Sequence, residues 1–223
     1  DLMRGRFEEV NGKLSCVEST KGDDEFKYMG GIWPSKAHTM IGIPRLENIQ
    51  FCVEQVLKDG IEGDLIEAGV WRGGASIFMR GILKDHGSDK CLWVADSFDG
   101  MPMEGASELH RFQDLSVSLK EVKNNFQRYD LLDDQVKFLK GWFKDTLPGP
   151  IEKLSVMRLD GDLYGSTMDG LRLYDKLSEG GFVIIDDYNS VKGCTEAVND
   201  FRAERGITTP IVPIMGAGGY WRK

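Results

Sequence analysis

Four aspartates follow two apolar runs in the second half of the chain. Asp160 and Asp162 come after one run, and Asp186 and Asp187 come after the next. Carboxylates held close together repel each other, so protons, arginine side chains or a divalent cation must compensate their charge. Hard oxygen ligands of this kind suit Mg²⁺ best. The residue types therefore indicate a magnesium site, if the fold brings both pairs together.

The pattern around the two runs predicts a strand, a helix and a second strand. The run 154–159 has the continuous apolar character of a buried strand. A helix is expected over about 166–177, and a strand over 182–185 follows the glycine pair 180–181, which breaks the pattern. The crossover of such a unit is almost always right-handed, so its strands are parallel and end at the same edge of the sheet. The acids should therefore meet at the carboxyl edge, where α/β sheets bind ligands.

Composition and charge restrict the classes of partner. The 223 residues suffice for one α/β domain with a full core, and the net charge of -8 argues against nucleic acid and anionic membranes as partners. No apolar run approaches the ~18 residues of a membrane span, and the first residues lack a signal-peptide core. The cysteines form no CxxC pair, which is typical of reduced thiols in a cytoplasmic protein. They are Cys16, Cys52, Cys91 and Cys194.

Strand and helix patterns alternate along most of the chain. This alternation predicts an α/β fold with a doubly wound, mostly parallel, Rossmann-like sheet and an antiparallel C-terminal strand. We expect one domain over 43–223, and we expect the polar segment 1–42, which cannot form its own core, to be a lid. The long loop 97–116 indicates a functional role. Further strands are predicted at 64–68, 91–95, 136–139, 211–214 and 219–221, and helices at 44–58, 75–83, 118–128 and 195–204.

A glycine-bearing turn, Glu67-Ala-Gly-Val-Trp-Arg-Gly73, separates a predicted strand from a predicted helix. Its glycines allow close backbone approach, and the helix N-terminus favours a negative group. The turn lacks the GxGxxG pattern, and an acid at its rim disfavours pyrophosphate. A ligand with both an ammonium and a carboxylate group, such as S-adenosylmethionine, fits better. Asp96 ends the next strand and is placed to accept ribose hydroxyls, while Trp142 and Phe143 are placed to flank an adenine.

Several segments together carry a family resemblance. The chain resembles the macrocin O-methyltransferase family, metal-dependent enzymes that methylate sugar hydroxyls of macrolides, aminocoumarins and related products. The resemblance extends from about residue 39 to residue 223. The matching segments are Thr39-Met-Ile-Gly42 with Arg45-Leu-Glu-Asn48, Asp64-Leu-Ile-Glu-Ala-Gly-Val-Trp-Arg-Gly-Gly74, Ala95-Asp-Ser-Phe-Asp-Gly100, Gly141-Trp-Phe-Lys-Asp-Thr146, Arg158-Leu-Asp-Gly-Asp-Leu-Tyr-Gly-Ser-Thr167 and Gly180-Gly-Phe-Val-Ile-Ile-Asp-Asp-Tyr188.

The resemblance implies a class I methyltransferase fold and a role for each candidate residue. It implies that Asp160, Asp186 and Asp187 hold Mg²⁺ and that Asp162 is the general base that deprotonates a sugar hydroxyl. We expect the acceptor to be a small-molecule glycoside and the protein to be a homo-oligomer, a dimer. The residues implied to contact S-adenosylmethionine are Met40, Glu67, Ala68, Gly69, Val70, Ser76, Asp96, Ser97, Gly141, Trp142, Phe143 and Asp160.

Three other functions compete with this interpretation. The enzyme could instead methylate a phenolic small molecule with the same cofactor and metal. The spacing of Asp160 and Asp162 also resembles the metal-binding DxD motif of glycosyltransferases, but that reading leaves the turn between Glu67 and Gly73 unexplained. A nucleoside-binding regulatory domain would have no use for a base at position 162. Asp162 is therefore the residue that separates an enzyme from a binding module.

Overall fold

The predicted α/β architecture is confirmed. The computed structural model describes residues 6–10, 13–17, 24–30, 36–102 and 115–223. Within these residues a seven-stranded sheet has the order β5-β4-β3-β6-β7-β9-β8, and a separate antiparallel pair is formed by β1 and β2. The strands are β1 Arg6–Val10, β2 Lys13–Val17, β3 Asp64–Ala68, β4 Leu92–Asp96, β5 Val136–Lys140, β6 Leu154–Leu159, β7 Leu177–Ile185, β8 Val212–Pro213 and β9 Gly219–Arg222.

Helices pack on both faces of the large sheet, as expected for a doubly wound fold. One core cluster joins Val156 of β6 to apolar side chains such as Ile49 and Val122, and the other joins Met157 to side chains such as Leu171 and Val198. Because successive strand residues point to opposite faces, adjacent positions of β6 serve both layers. The helices are α1 Asp24–Met29, α2 Gly42–Lys58, α3 Gly74–Asp85, α4 Leu119–Arg128, α5 Phe143–Thr146, α6 Tyr164–Leu171 and α7 Lys192–Arg205.

The central strands β5, β4, β3, β6 and β7 run parallel, and β9 pairs with β7 in the antiparallel sense. The predicted C-terminal antiparallel strand is thus confirmed. Chain order reverses between β3 and β6, because β4 and β5 lie on one side of β3 and the later strands on the other. Ligands of open α/β sheets bind at the carboxyl edge beside such a reversal.

One predicted boundary in the acidic βαβ unit was wrong. Helix α6 over Tyr164–Leu171 and the 3₁₀ helix over Arg172–Lys176 together match the helical segment expected over about 166–177. Strand β7 begins at Leu177 and runs through the glycine pair that was expected to break it. The glycines permit this path because a Cβ on Gly181 would lie 2.7 Å from the Ser155 carbonyl oxygen, and the β6–β7 register shifts at this point.

Helix α2 begins at Gly42, two residues before its predicted start at Pro44, and the division into a segment 1–42 and a domain 43–223 stays a prediction. Just before this helix, Ala37 and Ile41 are buried. The lid role of 1–42 and of the loop 97–116 stays a prediction, because 1–5, 11–12, 18–23, 31–35 and 103–114 lie outside the described residues. Cys52, Cys91 and Cys194 are free thiols, as expected, and no described helix is long and apolar enough to cross a membrane.

Candidate active site

A cavity of about 700 Å³ opens at the carboxyl edge of the parallel strands. Among the predicted cofactor contacts, Ala68, Ser76 and Gly141 are described residues that do not line it, and the first two are buried behind its wall. The sheet thus brings the other candidates together, although they come from widely separated segments. The predicted residues that line the cavity are Met40, Glu67, Gly69, Val70, Asp96, Ser97, Trp142, Phe143, Asp160, Asp162, Asp186 and Asp187.

Three of the aspartates form a cluster with the geometry of a cation site. Asp160, Asp186 and Asp187 each offer a carboxylate oxygen, and these oxygens lie within 4.8 Å of one another. They meet because Leu159 and Ile185, the last residues of β6 and β7, are register partners in parallel strands. The Oδ2 atom of Asp187 is buried and has no hydrogen-bond partner among the described residues. An orphaned carboxylate oxygen in such a cluster fits a hard cation such as Mg²⁺.

Two buried arginines compensate part of the negative charge. Arg158 is 1% exposed, and its Nη1 donates to Glu67 Oε1 at 2.5 Å while its Nη2 donates to Asp160 Oδ2 at 3.0 Å and also to Asp186 Oδ1. Arg45, from the first turn of α2, donates to the other Asp186 oxygen, Oδ2. Sequence reasoning left arginines open as compensators without naming these two. The available signal was a single arginine inside the apolar run that forms β6.

The site keeps an excess of negative charge, because five interacting carboxylates line the cavity together with these two guanidinium groups. The five are those of Glu67, Asp160, Asp162, Asp186 and Asp187. Burial and then neighbouring carboxylates raise the pKa of Asp160 to about 6 and the pKa of Asp162 to about 7. The same causes raise the pKa of Asp187 well above its ordinary value. Burial also raises the pKa of Glu67 to about 7, although Arg158 opposes this shift. Desolvated acids of this kind are characteristic of catalytic sites.

Asp162 lies in the cavity wall beside Asp187. An extended chain would point Asp160 and Asp162 to the same face, but Asp162 has a left-handed φ of 52°. Asp tolerates this conformation better than most residues, and strain of this kind is common at functional sites. Asp162 is not the N-cap of the helix that follows, because that position is taken by Leu163.

Gly69 is required by the packing of the chain on itself. Its φ is 90°, and a Cβ at this position would lie 1.9 Å from the carbonyl oxygen of Asp160. The backbone N–H of Asp160 in turn donates to the Ala68 carbonyl at 2.8 Å. The sequence interpretation assigned this glycine to close ligand approach. The structure adds a second reason, since Gly69 lets the ends of β3 and β6 come close enough to place Asp160 beside the turn.

The end of β4 and the turn after β3 are joined by Asp96. Its Oδ2 accepts a hydrogen bond from the Val70 amide and its Oδ1 from the Phe98 amide, both at 2.8 Å. Burial raises the pKa of Asp96 despite these bonds. The carboxylate still lines the cavity, and two oxygens offer about four acceptor positions. Asp96 can therefore order the turn and also face a ligand.

Ser76 supports Glu67 from behind the cavity wall. Its hydroxyl donates to Glu67 Oε2, and its side chain is fully buried on α3. The structure thus shows Ser76 supporting Glu67 from outside the cavity lining, and its contact with cofactor stays a prediction. The N-terminus of α3 is also less open to a ligand than expected, because the Gly74 amide donates to the His38 carbonyl at 2.8 Å. Lining residues that were not predicted to belong to the site include His38, Thr39, Lys144, Tyr164, Asp169 and Ser190.

A family model described as Macrocin-O-methyltransferase (TylF) matches residues 6–223. Among curated proteins, the chain is 55% identical over 212 residues to 8-demethyl-8-(2,3-dimethoxy-alpha-L-rhamnosyl)-tetracenomycin-C 4'-O-methyltransferase of Streptomyces olivaceus, with 90% of this chain and 81% of that protein covered. It is 52% identical over 214 residues to mycinamicin III 3''-O-methyltransferase of Micromonospora griseorubida, with 90% and 84% covered.

Solved structures agree with these matches. The structure of the O-methyltransferase NovP superposes with a TM-score of 0.87 at 51% identity, covering 90% of this chain and 88% of that chain. The calicheamicin methyltransferase CalS11 superposes with a TM-score of 0.70 at 16% identity, covering 92% and 94%, and shows the shared fold alone. On the family match and the close relatives together, the chain belongs to the macrocin O-methyltransferase family and is an O-methyltransferase.

Proposed function

We propose that the protein transfers a methyl group from S-adenosylmethionine to a hydroxyl on the sugar of a glycosylated natural product, with Mg²⁺ bound at the aspartate cluster. One observation carries the proposal: a single cavity joins the Glu67 and Asp96 end of the sheet to the cluster of Asp160, Asp186 and Asp187. Relatives at 52–55% identity are named as methyltransferases of such glycosides, which supports a sugar acceptor.

The cofactor would occupy the carboxyl ends of β3, β4 and β5. Glu67 and Asp96 both line this end of the cavity. In the proposal, Glu67 would receive the ammonium group of the methionine part and Asp96 would receive the ribose hydroxyls. Trp142 and Phe143 form the adjoining wall, where aromatic faces suit an adenine. With its reactive methyl directed along the sheet edge, the cofactor would meet the acceptor near the ends of β6 and β7.

The acceptor hydroxyl would lie beside the aspartate cluster. A bound Mg²⁺ would lower the pKa of that hydroxyl, because a cation stabilises the developing alkoxide. Asp162 is the base in this proposal, since it lines the same cavity and its pKa is raised to about 7. A base whose pKa lies near the working pH combines the ionised form with useful basicity. Positioning of hydroxyl and methyl within the cavity would supply much of the remaining rate.

The proposal is tested by incubating the enzyme with S-adenosylmethionine and candidate glycosides, with Mg²⁺ or with excess EDTA, and measuring intact mass. We expect gain of one methyl group with Mg²⁺ and loss of turnover in EDTA. Asp187→Ala should abolish turnover, whereas Asp175→Ala, which removes an exposed acid paired with Arg205, should leave it unchanged. Full activity in EDTA would refute the metal requirement, and methylation of phenols in preference to glycosides would refute the sugar acceptor.

A further inference from the structure

Arg158 lies between the two halves of the site. It is the register partner of Glu67 across the parallel pair β3 and β6, so the two side chains share one face of the sheet. One guanidinium nitrogen bonds Glu67, and the other bonds Asp160 and Asp186. A single buried side chain thus contacts the acid at the cofactor end and two acids of the cation cluster.

Arg45 is a natural comparison, because it contacts the same cluster from a different element. Its Nη1 donates to Asp186 Oδ2, and its Nε donates to the Ile41 carbonyl at 2.5 Å. Its side chain is also largely buried, at 9% exposure. Among the contacts within the described residues, none joins Arg45 to Glu67. Arg45 therefore supports the cation end only.

We propose that Arg158 is a positioning residue shared by the two subsites, fixing both the carboxylate that receives the cofactor's ammonium group and the carboxylates that hold the cation. This inference rests on the proposed function. The planar guanidinium fork has fixed donor directions, so it can hold Glu67 on one side and Asp160 and Asp186 on the other at the same time. A lysine would keep the charge but would lack the fork, and it could not hold both sides.

The test compares Arg158→Lys with Arg45→Lys by calorimetry, using S-adenosylhomocysteine and Mg²⁺ as separate ligands. Both substitutions keep the positive charge, so a change in affinity reports lost positioning. We expect Arg158→Lys to weaken both ligands by roughly tenfold or more, the usual effect of losing a partner of a metal ligand. Arg45→Lys should weaken Mg²⁺ by a similar factor while the affinity for S-adenosylhomocysteine changes by less than about twofold, within the scatter expected for an uncoupled site.

Two results would overturn the inference. Unchanged affinity of Arg158→Lys for S-adenosylhomocysteine would show that Glu67 does not depend on Arg158. Equal loss of S-adenosylhomocysteine binding in both variants would show general damage to the site. If the wild-type protein fails to bind S-adenosylhomocysteine, the proposed function is wrong, and so is the inference that rests on it. If the wild-type protein binds and Arg158→Lys binds equally well, the inference alone is wrong.

A second measurement avoids the risk that a variant does not fold. In wild-type protein with isotope-labelled arginine, the side-chain resonances of Arg158 should shift when either ligand is added. Those of Arg45 should shift with Mg²⁺ and stay in place with S-adenosylhomocysteine. Arg158 resonances that respond to Mg²⁺ alone would contradict a shared role.

Discussion

Asp160 and Asp162 are separated by one residue, yet different contacts hold them. Asp160 accepts a hydrogen bond from Arg158 at 3.0 Å and contributes an oxygen to the aspartate cluster. Asp162 lies beside Asp187 at a left-handed φ, and no described arginine forms an ion pair with it. A carboxylate held by an arginine is a poor base, because the arginine stabilises its ionised form. Of the two, Asp162 is the better candidate for proton transfer.

At the residue scale, Asp162→Asn should lower kcat by roughly 10²–10⁴, the usual contribution of a general base. Asn tolerates the same left-handed backbone, so the change removes proton transfer without adding strain. The Kd for S-adenosylhomocysteine should stay within about twofold, because the cofactor end of the cavity is untouched. Turnover kinetics and calorimetry measure both quantities.

Asp169→Asn provides the matched control, since Asp169 lines the same cavity but pairs with Arg172, the first residue of the 3₁₀ helix that follows α6. Its kcat should remain near that of the wild type. A kcat for Asp162→Asn within a few-fold of wild type would show that the proton leaves by another route.

At the scale of elements, the closeness of β3 and β6 determines the geometry of the site. Their register places Glu67 beside Arg158, and the turn at Gly69 passes directly over the Asp160 carbonyl. A change in this turn therefore acts on the cofactor end and on the cation end together. The glycine was predictable from the sequence as a turn residue. Its contact with Asp160 was not, because nothing in the local pattern shows which strand lies next to β3.

Gly69→Ala should destabilise the protein and also impair the site. A non-glycine residue in a disfavoured backbone region costs about 1–3 kcal/mol, and here the added Cβ must also displace the Asp160 carbonyl. We expect a larger loss of unfolding free energy than this strain alone, with S-adenosylhomocysteine binding weakened by roughly tenfold or more, as when support for a site is lost. Denaturant unfolding and calorimetry measure the two effects.

Gly60→Ala is the control for backbone strain. Gly60 also has a positive φ, of 64°, but a Cβ there would meet nothing within 4 Å. This variant should lose stability through strain alone and should bind S-adenosylhomocysteine normally. Equal stability and binding losses in both variants would mean that the contact with Asp160 has no special importance.

At the scale of the whole molecule, the sequence was sufficient for the fold and for the meeting of the acids. Strand periodicity and the rule that parallel strands end at one edge brought Asp160, Asp162, Asp186 and Asp187 together, and the family resemblance implied which three of them would hold a metal. The arginines could not be placed in this way, because the pairing of Arg45 with Asp186 joins residues 141 positions apart. Oligomeric state and cellular location stay predictions, since both depend on surfaces and signals that strand patterns do not encode.

The buried acids should make the stability of the metal-free protein fall as pH rises. The pKa of Asp162 is about 7 in the folded chain, and that of Asp160 is about 6. Their ordinary values lie near 4, so between about pH 4 and 7 the folded state binds more protons than the unfolded state, and raising the pH favours unfolding. Ion-paired acids such as Asp133, whose pKa is lowered by Arg80, change the stability only at pH values below this range.

In EDTA, the melting temperature should therefore decrease by several degrees between pH 5 and pH 8, at roughly 2–4 °C per kcal/mol for a domain of this size. Mg²⁺ should raise it more at pH 8 than at pH 5, because a cation binds the ionised cluster. Asp162→Asn should flatten the EDTA profile by removing one of the titrating groups. A melting temperature in EDTA that rises steadily to pH 8 would contradict this account.

The pairing of both arginines with Asp186 also has a consequence for the order in which the site is completed. Arg45 lies at the start of α2, Arg158 lies in β6, and their common partner follows β7. During synthesis both guanidinium groups emerge before the carboxylate that they share. Glu67 and Asp160 can already pair with Arg158 before then, but the carboxylate that pairs with Arg45 among the described residues is absent until residue 186 has left the ribosome.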